Sequence, residues 1–365
     1  MKGPLRIGVD ARELLGSATG VGRYLGELLR RWTARQDAAT RTFVLYSPEP
    51  LPISLPAEVI EQRVIGAGRG TWWEQTHLRR ALKGEALDVF FAPAYTAPFH
   101  IGVPLAVTIH DISFVAHPEW FRPREGLRRR LITKRTAHRA AVVFTDSAFS
   151  RGEIETRLAV DPGKIRVIPP GVIRPESGGA ATNRREPVVL FVGSIFNRRR
   201  LPDLIAAFAR AASDLPDARL VIVGDDRTWP PQDLRAIAAW HRVGSRVDYR
   251  QYLPEPALTQ LYATASVFAF LSEYEGFGLT PLEAMSAGLP AVVLDTPVAR
   301  EVYGDAVTFV ERGDIEATAR ELRRLLVAPW TAAPLMERAR GVLARYSWDT
   351  AAARTLGEIE GIVRR

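Results

Sequence analysis

The sequence from residue 272 to residue 285 is Ser272-Glu273-Tyr274-Glu275-Gly276-Phe277-Gly278-Leu279-Thr280-Pro281-Leu282-Glu283-Ala284-Met285. It lies between two short apolar segments, Val267–Leu271 and Ala291–Leu294, which predict buried parallel strands. Thr280 is a suitable helix N-cap and Pro281 a suitable first helical residue, while Gly288 predicts the helix end. The pattern therefore predicts a strand, a glycine-containing loop, a helix and a strand. Open α/β sheets bind anions at such loops, beside free N–H groups and the positive helix end.

Two acids in this stretch, Glu275 and Glu283, are separated by seven residues. Carboxylates would repel a phosphate, but they can accept hydrogen bonds from hydroxyl groups on either side of it. We therefore interpret them as ligands of a sugar and of a ribose that flank a diphosphate. Two plainer interpretations stay open: Glu283 completes a capping box with Thr280, and Glu275 is an ordinary exposed loop acid.

The composition is that of a globular protein of about two domains, because the chain has 365 residues, 47% of them hydrophobic and 25% charged. The absence of cysteine excludes disulfides, thiolate catalysis and cysteine metal sites. The first residues predict no signal peptide, since Asp10 interrupts a short apolar run, and no run approaches the roughly 20 apolar residues of a membrane span. We expect a cytoplasmic protein.

The positive charge is concentrated in the first half of the chain. Residues 1–170 contain 25 Lys and Arg against 17 Asp and Glu, whereas the remainder contains 24 of each. A basic segment, Arg122–Arg139, carries eight of these cations. It is either a solvated helix face or a peripheral contact with the anionic inner face of the cell membrane. We expect no nucleic-acid partner, because no nucleic-acid-binding motif or aromatic platform accompanies the charge.

In the first half, a strand at Leu5–Val9 is followed by the glycine-rich stretch Gly16–Tyr24 and an amphipathic helix. This order provides a phosphate-binding context, although the glycine pattern by itself favours an ordinary tight turn. His110 ends another apolar strand, Leu105–Ile109, and is either a ligand contact or a satisfied structural residue.

In the second half, three consecutive arginines, Arg198 to Arg200, follow the predicted strand Val188–Val192. They repel one another unless an anion neutralises some of them, so they indicate either an anion site or a solvated basic loop. The adjacent acids Asp225 and Asp226 are interpreted as a loop cap, because no matching ligand pattern predicts a metal.

The alternation of strands and helices in both halves predicts two doubly wound, Rossmann-like α/β domains. Residues 171–187 are rich in Pro, Gly, Ser and Ala and are interpreted as the linker between them. The predicted divisions are a first domain at 1–170, a second at 188–345 and a terminal helical segment at 346–365.

The order Glu275-Gly276-Phe277-Gly278-Leu279-Thr280-Pro281-Leu282-Glu283 resembles the E-x7-E signature of retaining GT-B glycosyltransferases of the family 4 type, also called glycosyl transferases group 1. Ala287–Pro290 and Arg300–Ala306 continue the match, and Val107–Ser113 with Pro118–Phe121 resembles the second signature of the family. The resemblance implies two domains that face each other across a cleft, with a C-terminal helix that crosses back to the first.

The resemblance also implies a role for each candidate residue. His110 and Glu275 become the catalytic pair that holds the donor sugar, Glu283 binds the ribose, and Arg23 and Tyr24 contact the acceptor. Contacts with the donor diphosphate are assigned to Gly20, Gly22, Arg198, Arg199, Gly276, Phe277, Gly278, Leu279 and Thr280. At Arg199 the family has lysine, so the charge is kept while the hydrogen-bond geometry differs. Asp111 is interpreted as structural, orienting the histidine or the backbone.

The implied activity is transfer of a mannosyl or glucosyl unit from a UDP- or GDP-linked sugar to an acceptor hydroxyl, with retained configuration and without a metal or other cofactor. Polysaccharide or glycolipid assembly is the expected setting. Three alternatives stay open: a nucleotide-sugar epimerase, a glycoside phosphorylase, and a protein that binds a nucleotide sugar without turnover.

Overall fold

The structure is a computed structural model that describes residues 3–16, 20–53, 56–66, 68, 70–173 and 185–364. It divides into two compact units. The first comprises Met1–Ala116, Arg124–Gly171 and Tyr346–Arg365, and the second comprises His117–Pro123 and Val172–Arg345. Residues 174–184 of the predicted linker lie outside the described residues. Each unit is a doubly wound α/β structure, so the predicted fold class is confirmed.

The first unit is built on a parallel sheet with the strand order β3-β2-β1-β4-β5-β6-β7. Its strands are β1 Leu5–Asp10, β2 Arg41–Ser47, β3 Ile60–Val64, β4 Val89–Ala92, β5 Leu105–Thr108, β6 Val142–Thr145 and β7 Ile165–Val167. The order reverses between β1 and β4, where open sheets of this kind bind ligands at the carboxyl ends of the strands. β3 was not predicted, because an edge strand that alternates between buried and exposed residues lacks a continuous apolar run.

Helices cover both faces of this sheet. They are α1 Gly20–Thr33, α2 Gly70–Trp73, α3 Arg79–Lys83, α4 Ser113–Ala116, α5 Pro123–Arg139 and α6 Ala148–Leu158. The apolar face of α1 is buried as its spacing predicts, and Trp32 stacks on Phe43 with ring centroids 5.5 Å apart. Ser147 caps α6 by accepting a hydrogen bond from the backbone N–H of Ser150.

The last helix, α14 Trp348–Val363, belongs to the first unit, and the predicted return of the C-terminal helix to this domain is confirmed. Its apolar side chains join the same core as α1. The indole N–H of Trp32 donates to the carbonyl of Ala352 at 2.8 Å. Gly171 lies so close to this helix that a Cβ atom there would be 2.1 Å from the backbone nitrogen of Trp348.

The second unit has a parallel sheet with the order β10-β9-β8-β11-β12-β13. Its strands are β8 Glu186–Val192, β9 Arg219–Val223, β10 Val247–Arg250, β11 Ala265–Phe270, β12 Ala291–Leu294 and β13 Thr308–Val310. The order reverses between β8 and β11, so the loops after these two strands leave the sheet side by side. The short edge strand β13 was not predicted.

The helices of the second unit are α7 Leu201–Ala211, α8 Leu234–Trp240, α9 Glu255–Thr264, α10 Leu279–Ser286, α11 Pro297–Tyr303, α12 Ile315–Val327 and α13 Ala333–Ala344. The segment His117–Pro123 also packs here, where His117 stacks on Trp120. Arg122 places its guanidinium 5.2 Å from the ring of Trp229. The basic segment predicted to begin at Arg122 therefore corresponds to a helix that begins at Pro123, and Arg122 is not on it.

Candidate functional site

In the second unit, the loops after β8 and β11 bring the predicted arginines and the predicted acid together. Nη1 of Arg199 lies 2.9 Å from Oε1 of Glu275, and its Nη2 donates to Oε2 at 3.3 Å. Nε of Arg198 is 3.9 Å from Oε1 of the same carboxylate. Because β8 and β11 are neighbours, residues 76 and 77 positions apart in the chain form one charged cluster. We call Arg198, Arg199 and Glu275 the switch-point cluster.

Arg198 is a buried cation that is incompletely hydrogen-bonded within the described residues. The residue is 7% exposed, and its Nε has no hydrogen-bond partner. Its guanidinium stacks over the ring of Phe196, 4.4 Å from the centroid. Buried charges are normally paired and hydrogen-bonded, because desolvation is otherwise costly. A partner anion that approaches from outside the protein would supply what this group lacks.

The third arginine of the loop has a structural role. Arg200 forms ion pairs with Asp203 and with Glu273, and it is the left-handed residue, at φ 51°, that precedes α7. Each of the three consecutive arginines thus contacts a carboxylate, which explains how the loop tolerates them.

Helix α10 begins earlier than the sequence predicts. Its N-cap is Gly278, at φ +89°, and Thr280 is the second helical residue. The hydroxyl oxygen of Thr280 has no hydrogen-bond partner among the described residues, so the predicted N-cap at Thr280 is wrong and the alternative of a capping box with Glu283 falls with it. The physical reason is that glycine adopts the left-handed conformation that turns the chain into the helix before Thr280. The first-turn N–H groups of Leu279 and Thr280 face the helix start, where backbone donors lack intrahelical acceptors.

Two further residues define the surroundings of this helix start. The hydroxyl of Tyr303 donates to the carbonyl of Gly278 at 2.8 Å and fixes the turn. Glu283 accepts a hydrogen bond from the hydroxyl of Tyr262 at 3.2 Å. Gly276 and Phe277 lie in the same loop, between Glu275 and the helix. Glu283 is therefore held by a tyrosine and not by the helix cap, and its predicted contact with a ribose remains a prediction.

In the first unit, His110 follows β5 and is held on both sides. Its Nδ1 is 2.7 Å from Oδ2 of Asp146, and its Nε2 is 3.1 Å from the carbonyl oxygen of Pro93. Burial lowers the pKa of His110, but the carboxylate of Asp146 and the two hydrogen bonds outweigh burial, so the pKa is raised. The sequence predicted His110 as a site residue but missed Asp146. The feature that could have pointed to Asp146 is its position directly after β6, a buried strand that neighbours β5.

Asp111 has the structural role that the sequence predicted for it. Its Oδ1 accepts hydrogen bonds from the backbone N–H of Ser113 at 2.8 Å and from the hydroxyl of Ser113 at 2.6 Å. These contacts fix the turn into α4. The residue that contacts the imidazole is Asp146, so of the two structural roles considered for Asp111, orientation of the backbone is the one observed.

The predicted glycine loop has a different conformation from the one expected. Gly20, Gly22 and Arg23 lie in the first turn of α1, and residues 17–19 before them are outside the described residues. Tyr24 is 3% exposed, its hydroxyl is 3.3 Å from that of Thr108, and its ring contacts His110 edge-on at 4.9 Å. Because it is buried, Tyr24 packs behind the histidine, and its predicted contact with an acceptor is not supported. Arg23 is half-buried, and its predicted acceptor contact stays a prediction.

The described residues contain no cluster of three or more His, Asp or Glu side chains suited to a metal ion. Asp226 accepts a hydrogen bond from the backbone N–H of Thr228, which is the predicted loop-cap role, whereas Asp225 accepts from the side chains of Arg227 and Gln251. No helix in the described parts of the chain has the length and apolar content needed to cross a membrane.

Comparison with protein families gives two adjoining matches. The family model described as Glycosyltransferase Family 4 matches residues 18–174, and the model described as Glycosyl transferases group 1 matches residues 175–342. Together they span both units, and the chain belongs to the GT-B glycosyltransferases of the family 4 type. The sequence prediction of the family is confirmed.

Two curated relatives illustrate which glycosyltransferases are similar in sequence to this chain. The chain is 32% identical over 313 residues to a D-inositol 3-phosphate glycosyltransferase of Acidothermus cellulolyticus. The aligned region covers 78% of this chain and 66% of the relative. It is 27% identical over 361 residues to the MMP alpha-(1->4)-mannosyltransferase of Mycolicibacterium hassiacum, covering 93% and 79% respectively. The chain thus spans just under two thirds of the length of the inositol-phosphate enzyme.

Solved structures agree on the fold. WaaG, a glycosyltransferase involved in lipopolysaccharide biosynthesis, matches with a TM-score of 0.78 at 18% identity, covering 98% of this chain and all of that one. HepE of Anabaena, solved in complex with UDP-glucose, matches with a TM-score of 0.72 at 17% identity and covers 98% and 100% of the two chains. At these identities the likeness establishes the fold.

Proposed function

We propose that this protein transfers a mannosyl or glucosyl unit from a nucleotide-diphosphate sugar to an acceptor hydroxyl, with retained configuration. The observation that carries the proposal is the switch-point cluster. Two arginines and an acid from the loops after β8 and β11 meet beside the start of α10. This arrangement offers cationic donors and backbone N–H groups to a diphosphate, and a carboxylate to the hydroxyls of an attached sugar.

The positive charge of the cluster stabilises the leaving diphosphate during transfer. When the glycosidic bond to the leaving diphosphate breaks, negative charge grows on the phosphate oxygens. Arg198 and Arg199 stabilise that charge, and preorganised donors of this kind are typically worth 10²–10³ in rate. In the structure Arg199 pairs with Glu275. A bound diphosphate competes for the guanidinium groups and leaves Glu275 to accept hydrogen bonds from the sugar. Because the two guanidinium groups supply the positive charge, we propose that transfer needs no metal.

The remaining roles follow the family resemblance. Glu283 binds the ribose, and His110 positions the donor sugar near the reacting carbon. We assign no side chain as a nucleophile and propose a front-face reaction in which the acceptor attacks on the side from which the diphosphate leaves. Donors linked to UDP are supported by the complex of HepE with UDP-glucose, and mannosyl donors by the name of the M. hassiacum relative. The link of WaaG to lipopolysaccharide supports a glycolipid or polysaccharide acceptor.

A donor panel tests the proposal. Slow hydrolysis of UDP- and GDP-linked sugars is measured with and without EDTA, for the wild type and for Arg198→Ala and Glu275→Gln. We expect each variant to hydrolyse the best donor at least about tenfold more slowly, and EDTA to change nothing. Arg210→Ala is the matched control, because Arg210 is an exposed arginine that pairs with Glu316 on the same unit. Wild-type rates in both site variants would contradict the assignment.

The same panel separates the alternatives. An epimerase would convert the donor to another nucleotide sugar without an acceptor, and a phosphorylase would require inorganic phosphate. A protein that only binds the nucleotide sugar would be stabilised thermally by it and show no turnover. Each of these outcomes would replace the proposed transfer reaction.

We also propose that the protein is cytoplasmic and contacts the anionic inner face of the cell membrane through α5. Leu127 and Leu131 lie one turn apart on this helix and are 55% and 57% exposed. Exposed arginines, among them Arg124, Arg128 and Arg130, surround them. Apolar side chains amid cations fit the interface of an anionic bilayer, where each nearby cation contributes about 1 kcal/mol.

Sedimentation with vesicles tests this contact. We expect binding to phosphatidylglycerol vesicles but not to phosphatidylcholine vesicles, and weaker binding of the Arg124→Ala/Arg128→Ala variant by roughly an order of magnitude. The Arg151→Ala/Arg157→Ala variant removes the same charge from α6 and should bind as the wild type does. Equal losses in both variants would show that net charge alone is responsible.

A further inference from the structure

We infer that Asp146 is a positioning residue for the transfer reaction, and that it holds His110 as a doubly protonated imidazolium. This inference rests on the proposed function only for its effect on turnover. The pairing itself follows from how three neighbouring strands of the first unit end, and it is tested separately.

The strand register places the two side chains opposite each other. β5 and β6 are parallel neighbours, with Val107 beside Val143 and Thr108 beside Phe144. Continuing this register past the strand ends brings His110 beside Asp146, where Nδ1 and Oδ2 are 2.7 Å apart. Asp146 is itself buried and precedes the N-cap of α6, so its position is fixed by both a strand and a helix.

The second ring nitrogen also meets an acceptor. Pro93 follows β4, the neighbour of β5 on its other side, and its carbonyl oxygen is 3.1 Å from Nε2 of His110. A neutral imidazole carries one N–H and one lone pair, so it would direct a lone pair at one of these two oxygens. Only the imidazolium donates to both, and the geometry therefore selects the charged ring.

The other groups around the ring do not change this conclusion. Tyr24 of α1 and Tyr95 of the loop after β4 contact the ring edge-on, with centroids 4.9 Å and 5.9 Å away. Asp111 adds negative charge nearby while its Oδ1 is engaged by Ser113. Ser150 of α6 donates to the carbonyl of His110 at 3.2 Å and fixes the backbone. The raised pKa of His110 agrees with the geometry.

A ring held in this way is a cation and a hydrogen-bond donor, and it has no lone pair with which to act as a base or nucleophile. Both N–H groups have acceptors in the protein, so the ring contributes a fixed positive charge to transfer, and an oxygen of the donor substrate replaces the carbonyl of Pro93 as the acceptor of Nε2–H. Loss of Asp146 would leave the ring neutral and free to choose either tautomer at neutral pH. Turnover would then fall at neutral pH and recover in part when the ring is protonated at lower pH.

Nitrogen-15 NMR of the histidine side chains tests the pairing, with the His110→Asn spectrum used for assignment. We expect both ring nitrogens of His110 to be protonated at about pH 7.5 in the wild type, although free histidine is neutral there. In Asp146→Asn the ring should be neutral at that pH, with its apparent pKa lowered by loss of the neighbouring carboxylate. Asp146→Glu, which keeps the carboxylate, should restore the charged ring in part. Asp161→Asn makes the same chemical change at a distant cap and should leave the ring unchanged.

Donor hydrolysis by the same variants tests the positioning role. Asp146→Asn should lower kcat about tenfold at pH 7.5 with little change in KM, and less at pH 6. A neutral ring in the wild type, or an unchanged ring in Asp146→Asn, overturns the inference. Wild-type kcat and pH profile in Asp146→Asn overturn the positioning role. If the wild type turns over no donor while the NMR result holds, the proposed function fails and the pairing stands.

Discussion

At the level of single residues, charge complementarity organises the candidate site. Glu275 pairs with Arg199 and approaches Arg198, so one carboxylate partly compensates two cations in a largely buried loop. The arrangement is incomplete at Arg198, where Nε lacks a hydrogen-bond acceptor. Two guanidinium groups share one carboxylate, so the cluster keeps a net charge of +1 and is suited to exchange an internal carboxylate for an external phosphate.

The pairing of His110 with Asp146 predicts how stability depends on pH. Because the pKa of His110 is raised in the folded state, the pairing stabilises fully below the unfolded pKa of about 6.5 and less as pH rises through the folded pKa. Asp146→Asn should therefore reduce the free energy of unfolding by about 1–2 kcal/mol near pH 6 and by less near pH 9. Urea unfolding of both proteins across this range measures the difference. A difference that stays constant with pH would show that the carboxylate acts by packing alone.

These residues also show how far sequence reasoning reaches. Arg198, Arg199 and Glu275 were predicted because consecutive cations after a strand, and an acid in a glycine loop, are unusual in the sequence itself. Asp146 is a single acid after a strand, which is common. Its role depends on which strands are neighbours, and that information is not local. The burial of Tyr24 was not predicted for the same reason, since burial depends on what packs over α1.

At the level of secondary-structure elements, the start of α10 depends on one glycine. Thr280 and Pro281 gave a plausible helix start, but the left-handed conformation of Gly278 begins the helix earlier. The pattern predicted the existence of the helix correctly because the flanking strands and Gly288 limit where a helix can lie. Its cap was mispredicted because two suitable caps occur in succession. The edge strands β3 and β13 were missed since neither is a continuous buried run of the kind that central strands show.

Substitution of Gly278 should destabilise the turn for two separable reasons. An alanine Cβ would be strained at φ +89° and would lie 2.1 Å from the hydroxyl oxygen of Tyr303. The strain costs roughly 1–3 kcal/mol, and Tyr303→Phe removes the clash together with a hydrogen bond worth about 1 kcal/mol. We expect Gly278→Ala to reduce unfolding free energy more in the wild type than in Tyr303→Phe, by about 1 kcal/mol or more. Denaturant unfolding of the four proteins completes the cycle, and equal costs in both backgrounds would refute the clash.

At the level of the whole molecule, the last helix completes the first unit. Trp348, Ala352, Leu356 and Ile359 of α14 join the core formed by α1 and the sheet. The chain must therefore be synthesised at least as far as Ile359 before the first unit can bury its core. The sequence resemblance predicted this return of the chain. The apolar pattern of the terminal segment alone did not assign it to either unit.

A pair of glycine substitutions tests how closely α14 docks. Gly171→Ala would place Cβ 2.1 Å from the backbone nitrogen of Trp348, so the helix must shift, at a cost of about 1–3 kcal/mol. Gly357→Ala on α14 itself meets nothing within 4 Å and should stabilise the helix by about 0.5–1 kcal/mol. Thermal unfolding should show opposite shifts in melting temperature. Shifts of the same sign would mean that the close approach of Gly171 to Trp348 does not constrain the position of α14.

The central claim is that the second unit binds a diphosphate at the switch-point cluster. A crystal structure of the protein with a nucleoside diphosphate, UDP or GDP, tests it most directly. We predict phosphate oxygens within hydrogen-bond distance of Arg198, of Arg199 and of the backbone N–H groups at the start of α10, with Glu275 released from Arg199. Phosphates bound away from both arginines, with the ion pair to Glu275 intact, would contradict the claim.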